Sequence, residues 1–379
     1  MRLRHLLAFL LAADAVASDA QPVRRAARAA VRAVRTRGSD TTAAAPADTA
    51  AAQPGGGYVI GRNRYTTLVN GDTREYLVHV PRQYTPSTAV PVVFMLHGTS
   101  GDGQRFYDIS GWKEVGDANT VLTVYPSSWQ HCIFENGQRK NTTKWHVYPA
   151  NFDYCPGEVP KDDVRFLLQA LDELAARFTV DPARIYFVGF SNGGQMSGRM
   201  GIDASHRIAA VVSASGFLPA QASFTPQRKL PNLLLLGNLD DRAFGAAAGP
   251  MDFDQLFAQN AFIRGMMLTY VNTYGLDTAY VTGGDPATMV TLDTRGLSGE
   301  PQNLLHFDLV KDLTHNYPNG RNHPMQGAKR HWEWLRRFTL PGGAAGAPRG
   351  NGAPGRGGRP RPLRRLRPDS GGAAGAFPG

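Results

Sequence analysis

An α/β architecture is predicted for this chain: a doubly wound, mostly parallel sheet led by an antiparallel hairpin, in one domain with disordered tails. Three observations predict it. Strand-like and helix-like segments alternate between residues 57 and 340. Asn70-Gly71 lies between two alternating runs, a hairpin signal. A strand-like run, Ile185-Tyr186-Phe187-Val188, leads directly into Gly189-Phe190-Ser191-Asn192-Gly193.

The elements follow in order. Arg64 to Leu68 and Glu75 to Val80 alternate apolar and polar residues, the pattern of half-buried strands. Val90 to Leu96 and Thr120 to Tyr125 are apolar on both faces, which suits central parallel strands. Asp162 to Phe178 has helical periodicity, with Val164, Leu167, Leu168, Leu171 and Leu174 on one face. Arg184 to Phe190 is a strand, and a helix should begin just after Ser191. Ile208 to Ser213, Leu233 to Leu236 and Leu304 to Leu309 read as further strands. Phe253 to Tyr274 and Pro324 to Phe338 read as helices.

The termini differ in composition. Met1-Arg2-Leu3-Arg4, the apolar stretch Leu6 to Ala13 and Ala15-Val16-Ala17 form an export signal over residues 1–17. Residues 18–56 are an Ala/Arg-rich linker, and 341–379 a Gly/Pro/Arg-rich tail expected to be disordered. The chain carries a formal charge of +10, of which residues 1–56 hold +4 and 341–379 hold +6, leaving 57–340 neutral. Basic character therefore belongs to the tails. No nucleic-acid motif accompanies it, so no nucleic-acid partner is expected. No stretch is long enough to span a bilayer. The two cysteines, Cys132 and Cys155, read as a disulfide in an exported protein, with two buried free thiols as the alternative.

Gly189-Phe190-Ser191-Asn192-Gly193 fits G-x-S-x-G between a strand and a helix, the context of a nucleophile elbow. Such a turn raises the serine hydroxyl above the sheet, and small residues on either side avoid clashes. A serine needs a base and an acid behind it. The acid should follow a later strand, and Leu233 to Asp241 offers Asp240, with Asp241 as alternative. The histidine should follow the last strand, where His315 stands, with His323 as competitor. His331 lies in the predicted C-terminal helix and His306 on a strand. An oxyanion hole needs two preorganised donors. The backbone N–H of Asn192 is one candidate. The other is Thr99, or Gly98, in the loop after Val90 to Leu96. His97 in that loop is expected to shape it. No metal or other cofactor is implied.

Together these residues resemble the polyhydroxybutyrate depolymerase and feruloyl esterase group of α/β hydrolases. The resemblance rests on Leu96-His97-Gly98, Tyr125-Pro126, Asp163-Val164-Arg165-Phe166, and Val180-Asp181-Pro182-Ala183-Arg184-Ile185-Tyr186 running into G-x-S-x-G-G. It extends from about residue 60 to 340. Two departures stand out. The family's H-G-T-x-D becomes Leu236-Gly237-Asn238-Leu239-Asp240, and its H-x-W-P becomes His315-Asn316-Tyr317-Pro318. The resemblance implies the α/β-hydrolase fold and a secreted serine esterase acting on polyester or on feruloyl or acetyl polysaccharide esters. An acyltransferase or peptidase with the same triad, or a non-catalytic surface-binding protein, are the alternatives. The partner is an ester substrate, polymeric or small.

Residues 127–160 read as an insertion over the site. They hold Trp129, Cys132, Phe134, Trp145, Tyr148, Phe152, Tyr154 and Cys155. Trp145 and Tyr317 are the candidate substrate-contacting aromatics, with ordinary packing as the alternative for the insertion.

Overall fold

The computed structural model describes residues 57–135, 137–148, 153–220, 222–297, 304–341 and 364–366. The chain divides into two units, 1–48 and 49–379. The expected export signal, the linker 18–56 and Phe152 lie outside the described residues, as does most of the tail.

The second unit is built on an α/β-hydrolase sheet. Its leading hairpin is β1 (Gly61–Val69) and β2 (Asp72–Val80), which pair antiparallel around Asn70-Gly71. Six strands then run parallel: β4 (Leu122–Pro126), β3 (Val90–Leu96), β8 (Val180–Phe190), β9 (Ala210–Ala214), β10 (Asn232–Leu239) and β13 (Leu304–Thr314). Beyond β13 the sheet turns antiparallel, through β12 (Met289–Arg295), β11 (Ala279–Asp285) and β14 (Arg364–Arg365). The full order is β1-β2-β4-β3-β8-β9-β10-β13-β12-β11-β14.

Two cores sandwich this sheet, because alternate residues on a strand face opposite ways. Val92 and Phe94 pack with α3 (Asp163–Arg177), α4 (Asn192–Asp203), α6 (Phe253–Gln259) and α7 (Ala261–Tyr274). Val93 and Met95 pack with α1 (Gly103–Ile109), α2 (Trp112–Asn119) and α8 (Gly327–Leu335). Every residue of β3 and β4 is buried, as expected of central strands covered on both faces.

Several boundaries differ from the sequence expectation. The helix expected over Phe253 to Tyr274 is two helices, because Asn260 turns its side chain onto the N–H of Ile263 and starts a new one. The last helix begins at Gly327 and not at Pro324, because Gln326 is held in a bridge to Asn319. β8 begins at Val180, and its register with β3 shifts around Asp181-Pro182, the irregularity a proline imposes on a ladder. The described tail residues 364–366 differ from the expected disorder. Arg364 and Arg365 pair with Tyr280 and Ala279, Leu366 is buried, and Arg364 reaches Asp254. An open strand edge offers unpaired backbone groups, and β14 covers part of that edge.

The insertion forms a small sheet, β6 (Gln138–Lys144), β5 (Trp129–Glu135) and β7 (Asp153–Tyr154), with Cys132 and Cys155 joined in a disulfide. A buried ion pair of the body anchors it through His146. Arg74 bonds Asp163 at 2.6 Å, with both side chains at most 2% exposed, and its guanidinium lies 4.0 Å over the Phe166 ring. The other Asp163 oxygen accepts the N–H of His146 at 2.7 Å. These contacts give Asp163 and Phe166 of the Asp163-Val164-Arg165-Phe166 segment a physical role.

Candidate active site

Ser191 sits where β8 turns into α4, with φ 53° and ψ −123°. That left-handed backbone is strained for a residue with a side chain, and it persists because its surroundings fix it. The Ser191 N–H donates to the Ala214 carbonyl at 2.8 Å. The motif glycines are needed for close approach: a Cβ on Gly189 would lie 1.9 Å from the Gly193 carbonyl oxygen.

The acid and the histidine meet through strand register. β10 and β13 are parallel neighbours in which Leu239 pairs with Thr314. The next residue on each strand, Asp240 and His315, therefore emerges beside the other. Nδ1 of His315 lies 2.9 and 3.0 Å from the two Asp240 oxygens, and its Nε2 lies 2.9 Å from Oγ of Ser191. The Nδ1–H donates to the carboxylate, which leaves Nε2 as acceptor for the serine hydroxyl. Asp240 is 1% exposed and its Oδ1 also accepts the N–H of Arg242 at 3.1 Å. The alternative acid, Asp241, has a side chain 69% exposed, out in solvent beside Arg242.

The other histidines weighed for this role, and His97, are engaged elsewhere. His323 bonds the Lys311 carbonyl and the Met325 N–H. His331 is fully buried against the Tyr317 hydroxyl, and burial lowers its pKa to about 3. His306 lies between Asp293 and Asp308. His97 is also fully buried, with its pKa lowered to about 4 chiefly by burial. Its Nε2 accepts the Ser128 N–H at 3.0 Å, so Nδ1 donates to the Gly98 carbonyl at 2.7 Å. It thus holds the loop that carries Thr99, as expected.

That loop lies against Ser191, since a Cβ on Gly98 would be 3.2 Å from the serine Cβ. β6 braces it from outside. The Ser100 N–H donates to the Thr143 carbonyl at 2.9 Å, and the Thr143 hydroxyl donates to the Gly101 carbonyl at 2.6 Å. Asn192 is the first residue of α4, where backbone N–H groups have no partner within the helix.

Two expectations need correction. Trp145 is fully buried and offers no surface to a substrate. Its indole N–H donates to the His97 carbonyl at 2.8 Å, and its backbone N–H and carbonyl bond the Asn192 side chain at 2.6 and 3.2 Å. Its aromatic bulk fills space between the Thr99 loop and α4. Tyr317 is 4% exposed, with its hydroxyl accepting from Trp112 Nε1 at 3.0 Å and meeting His331 at 2.9 Å. Both rings are held inside by polar partners. Sequence reasoning had no signal for the Asn192 side-chain clamp, because it joins residues 47 apart.

Among the described residues, no cluster of three or more His, Cys, Asp or Glu is arranged to hold a metal ion. No helix among them is long and apolar enough to cross a membrane.

Residues 83–242 match the phospholipase/carboxylesterase family model. The chain is 31% identical over 189 residues to the esterase-like protein NocK of Nocardia uniformis subsp. tsuyamanensis, covering 49% of this chain and 51% of that one. It is 25% identical over 172 residues to feruloyl esterase B of Piromyces equi, covering 44% of this chain and 29% of the relative. It is 29% identical over 119 residues to poly(3-hydroxyalkanoate) depolymerase C of Paucimonas lemoignei, covering 31% and 25%. The chain thus spans about half the length of the first relative and less of the others. Its fold is that of the α/β hydrolases, and it is similar to members of the polyhydroxybutyrate depolymerase and feruloyl esterase group, with residues 83–242 matching the phospholipase/carboxylesterase model.

Proposed function

We propose that this chain is an exported serine esterase that hydrolyses carboxylic esters through an acyl-enzyme. The observation that carries the reading is the line Asp240–His315–Ser191, with both links at 2.9 Å and the serine on a left-handed turn. Ser191 attacks the ester carbonyl as His315 Nε2 takes its proton. Asp240 holds the imidazole in the required tautomer and stabilises the imidazolium. The N–H groups of Asn192 and Thr99 hold the oxyanion. His315 returns the proton to the leaving alcohol, then activates water to release the acid.

The substrate class proposed is a polyhydroxyalkanoate-type polyester or a feruloyl or acetyl ester of a polysaccharide, in keeping with the names of the relatives. Export is supported by the charged and apolar N-terminus and by the disulfide, which persists in oxidising compartments. The test is turnover of a short-chain p-nitrophenyl ester by wild type and Ser191→Ala. Activity that disappears with Ser191, followed by turnover of one polymer or feruloyl ester, sustains the reading. Activity that survives the substitution, or folded wild type inert on every ester, overturns it.

A further inference from the structure

A polar cavity lies at the end of the sheet away from Ser191. It measures about 170 Å³ and is lined by Asp293, Arg295, His306, Arg330, Trp334 and Arg337 among others. β13 enters this region at Leu304 and reaches the Ser191 site only after Thr314. At about 3.3 Å of rise per residue, roughly 30 Å of strand separates the two.

Charge within the cavity divides into two sets. His306 sits between Asp293 at 2.7 Å and Asp308 at 2.8 Å, and Arg330 forks onto Asp308 at 2.9 and 3.0 Å. Two cations and two carboxylates balance there. Glu333 faces Arg336 at 3.6 Å. Arg295 and Arg337 remain. No described carboxylate lies within 4.0 Å of either guanidinium, and neither has a partner beyond those named here. Arg337 is nonetheless fixed, with its Nε donating to the Trp334 carbonyl at 3.1 Å and its guanidinium over the Trp334 and Phe338 rings. Burial lowers its pKa, Asp293 opposes that, and repulsion from Arg330 and Arg295 adds to it. Three guanidinium groups are therefore gathered around one cavity. The indole N–H of Trp334, a residue 2% exposed, is buried without a hydrogen-bond partner.

We propose that this cavity binds an oxyanion group, a phosphate, sulfate or carboxylate, through Arg295 and Arg337. Planar guanidinium forks match such groups bidentately, and a bound anion relieves the repulsion among the arginines. The balanced quartet below them forms a rigid floor. The group can arrive as a free ion or on an acidic polymer. This assignment does not depend on the proposed esterase activity.

The test is calorimetric titration of the full chain with inorganic phosphate and, separately, with polygalacturonate. Saturable binding of at least one probe is expected, weakened about tenfold or more, 1.4 kcal/mol or more, in Arg295→Gln/Arg337→Gln. It should persist in Ser191→Ala and in Arg336→Gln, a neighbouring arginine outside the lining. The probe that binds names the source of the anion. Absence of saturable binding for both probes, or an equal loss in Arg336→Gln, overturns the proposal. A thermal melt of each variant separates lost binding from lost folding.

Discussion

The indole N–H of Trp145 donates to the carbonyl of His97 at 2.8 Å, and with its backbone bonded to Asn192 this single residue joins the two segments proposed to hold the oxyanion. Its backbone is clamped by Asn192, and His97 orders the loop that leads to Thr99. Trp145→Phe keeps a six-membered aromatic ring but removes the indole N–H together with the five-membered ring that carries it. The His97 carbonyl loses that donor, and the distance between the two oxyanion N–H groups is less firmly set. The expected outcome is a fall in kcat of about tenfold with KM nearly unchanged, because the lost precision acts on the transition state. Stability should fall by about 1–3 kcal/mol. Ester kinetics beside urea unfolding check both, and an unchanged kcat would remove the positioning role.

Asp240 and Asp241 are neighbours in sequence with opposite surroundings. Asp240→Asn should lower kcat by about a thousandfold or more, since an amide can hold His315 in the wrong tautomer. Asp241→Asn should stay within about twofold of wild type, because its side chain is 69% exposed and only touches Arg242. Steady-state kinetics of the two variants on one ester distinguish the acids.

Buried histidines give stability a defined pH dependence. His306 is pulled toward neutrality by burial, but the hydrogen bonds it donates to Asp293 and Asp308 outweigh this and raise its pKa to about 9. A raised folded pKa stabilises fully below the unfolded value of about 6.5 and loses that contribution as pH climbs to 9. His97 and His331 behave oppositely, with burial lowering them to about 4 and 3. The unfolded chain takes up their protons first, so stability falls as pH drops from about 6.5 toward 4. Urea midpoints should therefore peak between these arms. His306→Asn should flatten the alkaline arm and leave the acid arm in place.

Much of this was legible in the chain itself. Ser191, Asp240 and His315 could be chosen because each follows a strand whose apolar run stands out, and the fold fixes which strand ends meet. The register that brings Leu239 beside Thr314 is a property of the assembled sheet, so the Asp240–His315 contact could be anticipated only through fold order. β11 carries a weak strand signal because Gly283, Gly284 and Asp285 dilute its alternation, whereas β12 buries alternate residues and its polar Thr291, Asp293 and Thr294 lower its apolar content. Trp145 and Tyr317 were misplaced for another reason. An aromatic with a polar tip suits a substrate wall or a core equally well. The partners that decide, His97 and Asn192 for one and Trp112 and His331 for the other, lie 14 to 205 residues away.

The disulfide offers a test of how the insertion supports the site. Cys132 and Cys155 close a loop of sequence separation 23 that includes all of β6. Constraining a loop of that size stabilises by about 3 kcal/mol in the chain-entropy model. The body has its own cores and the Arg74–Asp163 pair, so Cys132→Ser/Cys155→Ser should still fold. Its insertion should open more readily, exposing residues 137–160 to limited proteolysis faster than the rest of the chain. Since Thr143 braces the Thr99 loop, ester turnover should fall severalfold in parallel with the nicking rate. Faster nicking with full activity would mean that the hydrogen bonds from Thr143 do not set the geometry around Ser191, and that Trp145 and Asn192 hold it alone.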